Sequence, residues 1–97
     1  MGDVFKALAD PTRRTILDEL TQRDGQTLYE ICNRLAMKHD LTPSRQAISQ
    51  HLAVLEDAEL VHSHKEGRFK FHHINTEPIA TGVARWLEPS TTEGDPK

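Results

Sequence analysis

The stretch that decides the fold is Thr42-Pro43-Ser44-Arg45-Gln46-Ala47-Ile48-Ser49-Gln50-His51-Leu52-Ala53-Val54-Leu55-Glu56-Asp57-Ala58. Thr-Pro followed by serine is a helix start signal, because a hydroxyl caps the first turn and proline cannot continue a preceding helix. From Ser44 to about Ala58, Ile48, Leu52 and Leu55 recur at helical spacing and form one apolar stripe. Gln46, Gln50 and Ala53 lie on the opposite face, with Arg45 and Ser49 on its flanks. Solvated helix faces are usually rich in lysine and glutamate. This one shows Arg, Gln, Ser and Gln, and its first acidic residues are Glu56 and Asp57, two turns downstream.

Directly after this helix the hydrophobic period changes from 3.6 to 2. Leu60 to Lys65 and Arg68 to Ile74 flank Glu66-Gly67, which predicts two strands around a two-residue turn with glycine second. Upstream, Thr27 with Glu30 is a capping box for a helix whose stripe is Leu28, Ile31, Cys32 and Leu35. Residues 38–43 then read as a connector ending in the Thr-Pro start signal. Asp10-Pro11 starts the helix before that, carrying Ile16, Leu17 and Leu20 and closing near Arg23-Asp24-Gly25. Asp3 to Ala9 is a short helix, and Asn75 or Thr76 caps a last one from Pro78 to about Glu88. Residues 89–97 have no apolar side chain and read as a disordered tail.

The order is therefore mainly α, of α+β class: about five helices plus a two-stranded β-hairpin. The third and fourth helices form a helix-turn-helix candidate and the hairpin forms its wing, within one domain spanning residues 1–88. An α-helix fits the major groove of B-DNA, and arginine, glutamine and serine are the side chains that pair with guanine, adenine or either. Lys65, Arg68 and Lys70 surround a wing tip where Gly67 permits close approach to phosphate.

Charge is compatible with this. The net charge of −3 excludes a strongly basic coat protein, but its distribution matters more. Residues 44–73 hold 4 basic and 4 acidic side chains and five of the six histidines, making this the least acidic third. A 97-residue chain makes one domain. With a mean hydropathy of −0.61 and no apolar run near the ~18 residues that span a bilayer, a cytoplasmic protein without a membrane partner is expected. The single cysteine excludes an internal disulfide. No nucleophile elbow, phosphate loop or His-Glu-x-x-His occurs, so no enzyme is expected.

Three stretches together resemble the ArsR/SmtB winged helix-turn-helix repressors, and within them the SdpR-like branch. They are Phe5-Lys6-Ala7-Leu8-Ala9-Asp10-Pro11-Thr12-Arg13-Arg14-Thr15-Ile16-Leu17, Ser44 to Leu55, and Leu60-Val61 followed by Glu66-Gly67-Arg68-Phe69-Lys70-Phe71. The resemblance implies a homodimer built from the first and last helices, with Val4, Phe5, Leu8, Ile79, Val83, Trp86 and Leu87 at the interface. It implies repression at a palindromic operator in double-stranded DNA. The DNA-contacting positions fall on Ser44, Arg45, Gln46, Ser49, Gln50 and His51 of the helix and on Lys65, Arg68 and Lys70 of the wing.

The metal sites of that family do not match. Leu28-Tyr29-Glu30 stands where a Cys-x-Cys pair would be, and residues 78–88 contain no His, Cys or Asp. No metal and no cofactor is expected, and the sequence names no small-molecule inducer. His62, His64, His72 and His73 read as structural or DNA-proximal residues, with a zinc cluster as the alternative. Cys32 reads as a core thiol, His39 as plain connector, and Arg13 and Arg14 as phosphate contacts or ion pairs with Asp18 or nearby carboxylates. The reading from another class is a winged-helix protein-interaction module. Such a module has no need of a helix face bare of acidic residues, which favours DNA.

Overall fold

The computed structural model of the chain describes residues 3–40 and 44–80. Helices α1 (Val4–Leu8), α2 (Pro11–Gln22), α3 (Leu28–His39) and α4 (Arg45–Asp57) precede strands β1 (Val61–Glu66) and β2 (Phe69–Ile74), and residues 77–80 open a further helical turn.

Each helix begins where its capping chemistry lies. The Asp3 carboxylate accepts from Phe5 and Lys6 N–H, Asp10 accepts from Arg13 N–H with Pro11 at the first position, and Ser44 accepts from Ala47 N–H. Thr27 and Glu30 form the reciprocal box at the start of α3. Helix α3 ends on Asp40 and α4 is followed by Glu59, both with left-handed backbone at φ 53° and 63°. The exit from α4 is closed by Leu60 N–H donating 2.9 Å to Leu55 O.

The apolar stripes converge on one core. Ile16, Leu20, Ile31, Leu35, Ile48, Leu55 and Leu60 are fully buried, and Leu52, Ala58 and Val61 nearly so. Truncating any of the large ones to alanine costs about 2–5 kcal/mol. Leu28 and Cys32 pack partly against this core. Burial raises the Cys32 thiol above its ordinary value despite the nearby Arg45 charge, which keeps it protonated.

Two features depart from the sequence reading. Residues 38 and 39 are not connector: α3 runs on to His39, which shortens the link to α4. The reason is Glu19, fully buried on the flank of the α2 stripe. Its carboxylate takes Arg34 Nε at 2.7 Å, His39 Nε2 at 2.7 Å and Lys38 Nζ at 3.4 Å, so the last α3 turn is held by the same carboxylate as the turn before it. Burial alone pushes this carboxyl up, but those hydrogen bonds outweigh it and hold its pKa at about 2.

The hairpin turn is also displaced by one residue. Glu66 pairs with Phe69, so the turn is Gly67-Arg68, with glycine first at φ 63°. Positive φ at the first central residue alone is the sign pattern of a type II′ turn, and it carries Arg68 to the wing tip.

The wing is tied to the body at its base. Gln26 and His72 exchange backbone hydrogen bonds of 3.0 and 2.7 Å, so the α2–α3 loop adds a bridge to the free edge of β2. Asp24 accepts Ile74 N–H at 2.7 Å, and Gln26 Nε2 donates to Arg23 O at 2.7 Å.

Candidate nucleic-acid interface

The buried Ile48, Leu52 and Leu55 pin α4 on its inner side, which turns Arg45, Gln46, Ser49 and Gln50 outward. All four are exposed, and among the described residues none makes a hydrogen bond or ion pair with the protein. Their donors and acceptors are left for another molecule. Ser44 is exposed too, its oxygen taken by the cap while its hydroxyl hydrogen remains to donate. His51 is half-buried, its Nδ1 3.3 Å from Arg13 Nη1.

Arg68 and Lys65 are exposed on the wing. Lys70, the register partner of Lys65 and so on the same face of the hairpin, sits 3.9 Å from Glu56 of α4, a half-exposed pair of the kind that contributes about 0–1 kcal/mol. Glu56 also accepts the Ser63 hydroxyl at 3.1 Å, so the first acid of α4 is engaged by the wing. A cleft of about 530 Å³ separates α4 from the wing; Arg45, Ser49 and Arg68 line it together with Tyr29 and Phe69. Tyr29 and Phe69 are exposed aromatics that sequence reasoning does not assign to this cleft, because the pairing of α3 with the wing brings them together only in the fold. The cue for Tyr29 was its place beside, rather than on, the Leu28–Ile31–Leu35 stripe.

The wing histidines divide. His72 faces inward and is buried, its Nδ1–H donating to Gln26 O at 3.0 Å, which is a structural role. His73 and His64 lie on the outer face, 3.1 Å apart through Nε2 and Nδ1, and are flanked by Asp24 at 3.0 Å and Glu66 at 3.3 Å. Burial pushes the Asp24 carboxyl up, but the Ile74 N–H and His73 hold it below its ordinary value. His62 is exposed. Among the described residues, no group of three or more His, Cys, Asp or Glu could hold a metal ion.

Burial also pushes the His72 imidazole below its ordinary value of 6.5, with the Gln26 carbonyl only partly opposing this. Above that value His72 is neutral in folded and unfolded chains and contributes no pH dependence. As pH falls through it, the unfolded chain binds a proton that the folded chain resists, so stability declines. Urea midpoints should therefore drop as pH falls below about 7. His72→Asn, which keeps a donor for Gln26 O but does not titrate, should weaken that drop; parallel curves for the two proteins would refute the assignment.

The remaining expected site residues fall as follows. Val4, Leu8 and Ile79 pack partly against the protomer's own core, so a short α1 lying on α2 uses some of the apolar surface assigned to an interface. Phe5 is half exposed, and Val83, Trp86 and Leu87 lie outside the described residues, as do most of the last helix and the tail. Arg13 and Arg14 do not pair with Asp18. Arg13 donates to Ala7 O and Lys6 O, and Arg14 to Leu8 O, because the open carbonyls ending α1 lie within their reach. No helix among the described residues is long and apolar enough to cross a membrane.

Known proteins share this arrangement. A family model described as a helix-turn-helix domain matches residues 8–64, from the end of α1 into β1. An uncharacterized HTH-type transcriptional regulator of Bacillus subtilis, YuzN, is 51% identical over 85 residues, 88% of this chain and 92% of its own. The transcriptional repressor SdpR of the same organism is 35% identical over 95 residues, 98% of this chain and 97% of its own. Among solved structures, an ArsR-like transcriptional regulator from Rhodococcus sp. RHA1 superposes with a TM-score of 0.68 at 38% identity, covering 90% of this chain and 74% of that one. With an exposed polar α4, a wing beside it and these relatives, the chain belongs to the ArsR-type winged helix-turn-helix family of DNA-binding transcriptional regulators.

Proposed function

We propose that the protein is a repressor that binds a palindromic operator as a homodimer, without a metal or other cofactor. Helix α4 enters the major groove and reads base edges through Arg45, Gln46, Ser49 and Gln50. Ser44 and His51 meet the adjacent backbone, and Lys65 and Arg68 of the wing clamp phosphates, with Lys70 joining once it leaves Glu56. The observation that carries this reading is the outer face of α4: one arginine, two glutamines and a serine, all exposed and, among the described residues, without side-chain hydrogen-bond or ion-pair partners, on a helix whose acids begin only at Glu56. The relative named as a transcriptional repressor supports the direction of regulation.

Dimerisation rests on the apolar residues of the first and last segments: Val4, Phe5, Leu8, Ile79, Val83, Trp86 and Leu87. Burying apolar area contributes about 25 cal/mol per Å², and the protomer core uses Val4, Leu8 and Ile79 only in part. Sedimentation at micromolar concentration should show a dimer; a stable monomer contradicts it. Nuclease protection of the DNA upstream of the protein's own gene should reveal a two-fold symmetric site with half-sites about one helical turn, 34–36 Å, apart. Protection without symmetry would rule out the palindrome.

A further inference from the structure

One chain of hydrogen bonds runs from the end of α1 to the flank of the reading helix. Arg13 Nε donates to Ala7 O at 2.7 Å and Nη2 to Lys6 O at 3.3 Å, while Nη1 lies 3.3 Å from His51 Nδ1. A guanidinium has donors only, so the imidazole nitrogen it meets must accept. A neutral ring that accepts at Nδ1 carries its hydrogen on Nε2, which has no partner among the described residues. Asp10 is the other charged group facing this nitrogen. Its Oδ2 stands 4.0 Å from Nδ1, beyond hydrogen-bond range, and the same oxygen is occupied by Arg13 N–H at the start of α2. Burial pushes the Asp10 carboxyl up, but the Arg13 N–H and nearby positive charge outweigh it, so Asp10 stays an anion capping α2.

We propose that Arg13 is a positioning residue for DNA binding. It fixes His51 as the Nε2–H tautomer and so presents a hydrogen-bond donor to a phosphate beside the bases read from α4. Because its other N–H groups hold the last carbonyls of α1, Arg13 also ties the placement of that helix to the donor. The idea rests on the reading of α4 as the DNA-contacting helix. Its location suits the role: His51 follows Gln50 directly, yet it is half-buried against α2 and is not part of the outer base-reading row.

The test has two independent arms. In the full-length protein without DNA, long-range ¹H–¹⁵N NMR of the histidine rings should show His51 as the Nε2–H tautomer at pH 8, and Arg13→Lys should convert it to a tautomer mixture. An Nδ1–H signal in the wild type, or no change in Arg13→Lys, overturns the proposal whatever the protein does with DNA. In the second arm, affinity for a mixed-sequence 20-base-pair duplex is measured at fixed salt. His51→Gln, whose amide N–H takes the place of Nε2–H, should stay within about twofold of wild type, and His51→Asn, whose amide reaches only the Nδ1 position, should lose about five- to tenfold. Arg13→Lys should lose a similar factor in the wild-type background and nothing further in His51→Gln. Equal losses for Gln and Asn, or an Arg13→Lys loss that multiplies with His51→Gln, refute the relay. If Arg13→Lys does not fold, the wild-type tautomer and the Gln–Asn comparison still decide. Absence of duplex binding by the wild type would instead refute the DNA reading, leaving the tautomer arm to judge the Arg13–His51 contact alone.

Discussion

The Glu19→Gln variant is expected to be about 2–3 kcal/mol less stable than the wild type at pH 7, a Tm lower by about 4–8 °C for each kcal/mol. Glu19 is fully buried, and its carboxylate is the common acceptor for Arg34, Lys38 and His39. Glutamine keeps the shape but can neither carry the charge nor accept on both terminal atoms. Removing one member of a buried ion pair costs about 3–5 kcal/mol when the survivor stays buried. Here the three donors, Arg34, Lys38 and His39, are roughly one-third exposed and recover part of their hydration, so the loss is smaller.

The pH dependence follows from the sign of the shift. A carboxyl held at about 2 rather than 4.5 contributes stability that is fully present above 4.5 and is lost as pH falls toward 2. The wild type and Glu19→Gln should therefore converge in urea denaturation as pH is lowered through that window. A gap that is absent at pH 7, or that persists undiminished near pH 2, contradicts the role given to Glu19. Because Lys38 and His39 form the last α3 residues, losing this anchor also loosens the link that sets α4 against α3.

Arg45→Ala and Gln50→Ala should each cost about 1–3 kcal/mol of discrimination between the operator and a scrambled duplex. Arg45 and Ser49 form one i, i+4 row on α4, and Gln46 and Gln50 form the next, so on the proposed reading both rows belong to the N-terminal half of the helix that meets the groove. Neither Arg45 nor Gln50 has a protein partner to lose among the described residues, so truncation should leave the fold and its Tm unchanged. The effect belongs to the ratio of affinities: specific binding weakens about 5- to 150-fold per site while scrambled-DNA binding changes little. Gel-shift titrations against both duplexes give that ratio. Equal weakening on the two would mean that these side chains touch phosphate rather than bases.

Most of the fold was legible because local chemistry and global packing agree. Asp10-Pro11, the Thr27–Glu30 box and Ser44 mark helix starts with side chains that satisfy backbone N–H groups at those positions, and the Ile48–Leu52–Leu55 stripe chose the buried face of α4. What escaped the sequence was long-range. Glu19 sits beside an apolar stripe, and its three hydrogen-bond donors lie fifteen to twenty residues away on α3, a pairing visible only once α2 and α3 pack. His72 and His73 alternate as strand neighbours must, but only the docked α2–α3 loop shows that one is capped by Gln26 and the other by Asp24. The turn moved by one residue because glycine's positive φ serves either central position, and pairing Glu66 with Phe69 selects the first.

The division of labour between α4 and the wing is the central claim, and a salt series on three proteins tests it. Affinities of wild type, Arg45→Ala and Arg68→Ala for the operator and for a scrambled duplex are measured at several salt concentrations. Each phosphate contact contributes about −0.9 to the slope of log K against log salt, doubled in a symmetric dimer. Arg68 stands at the wing tip after Gly67, so Arg68→Ala should weaken both duplexes alike and flatten both slopes by about 2 per dimer. Arg45→Ala should lower operator affinity selectively and leave the scrambled-duplex slope near that of the wild type. A selective operator loss for Arg68→Ala, paired with equal losses for Arg45→Ala, would contradict the account.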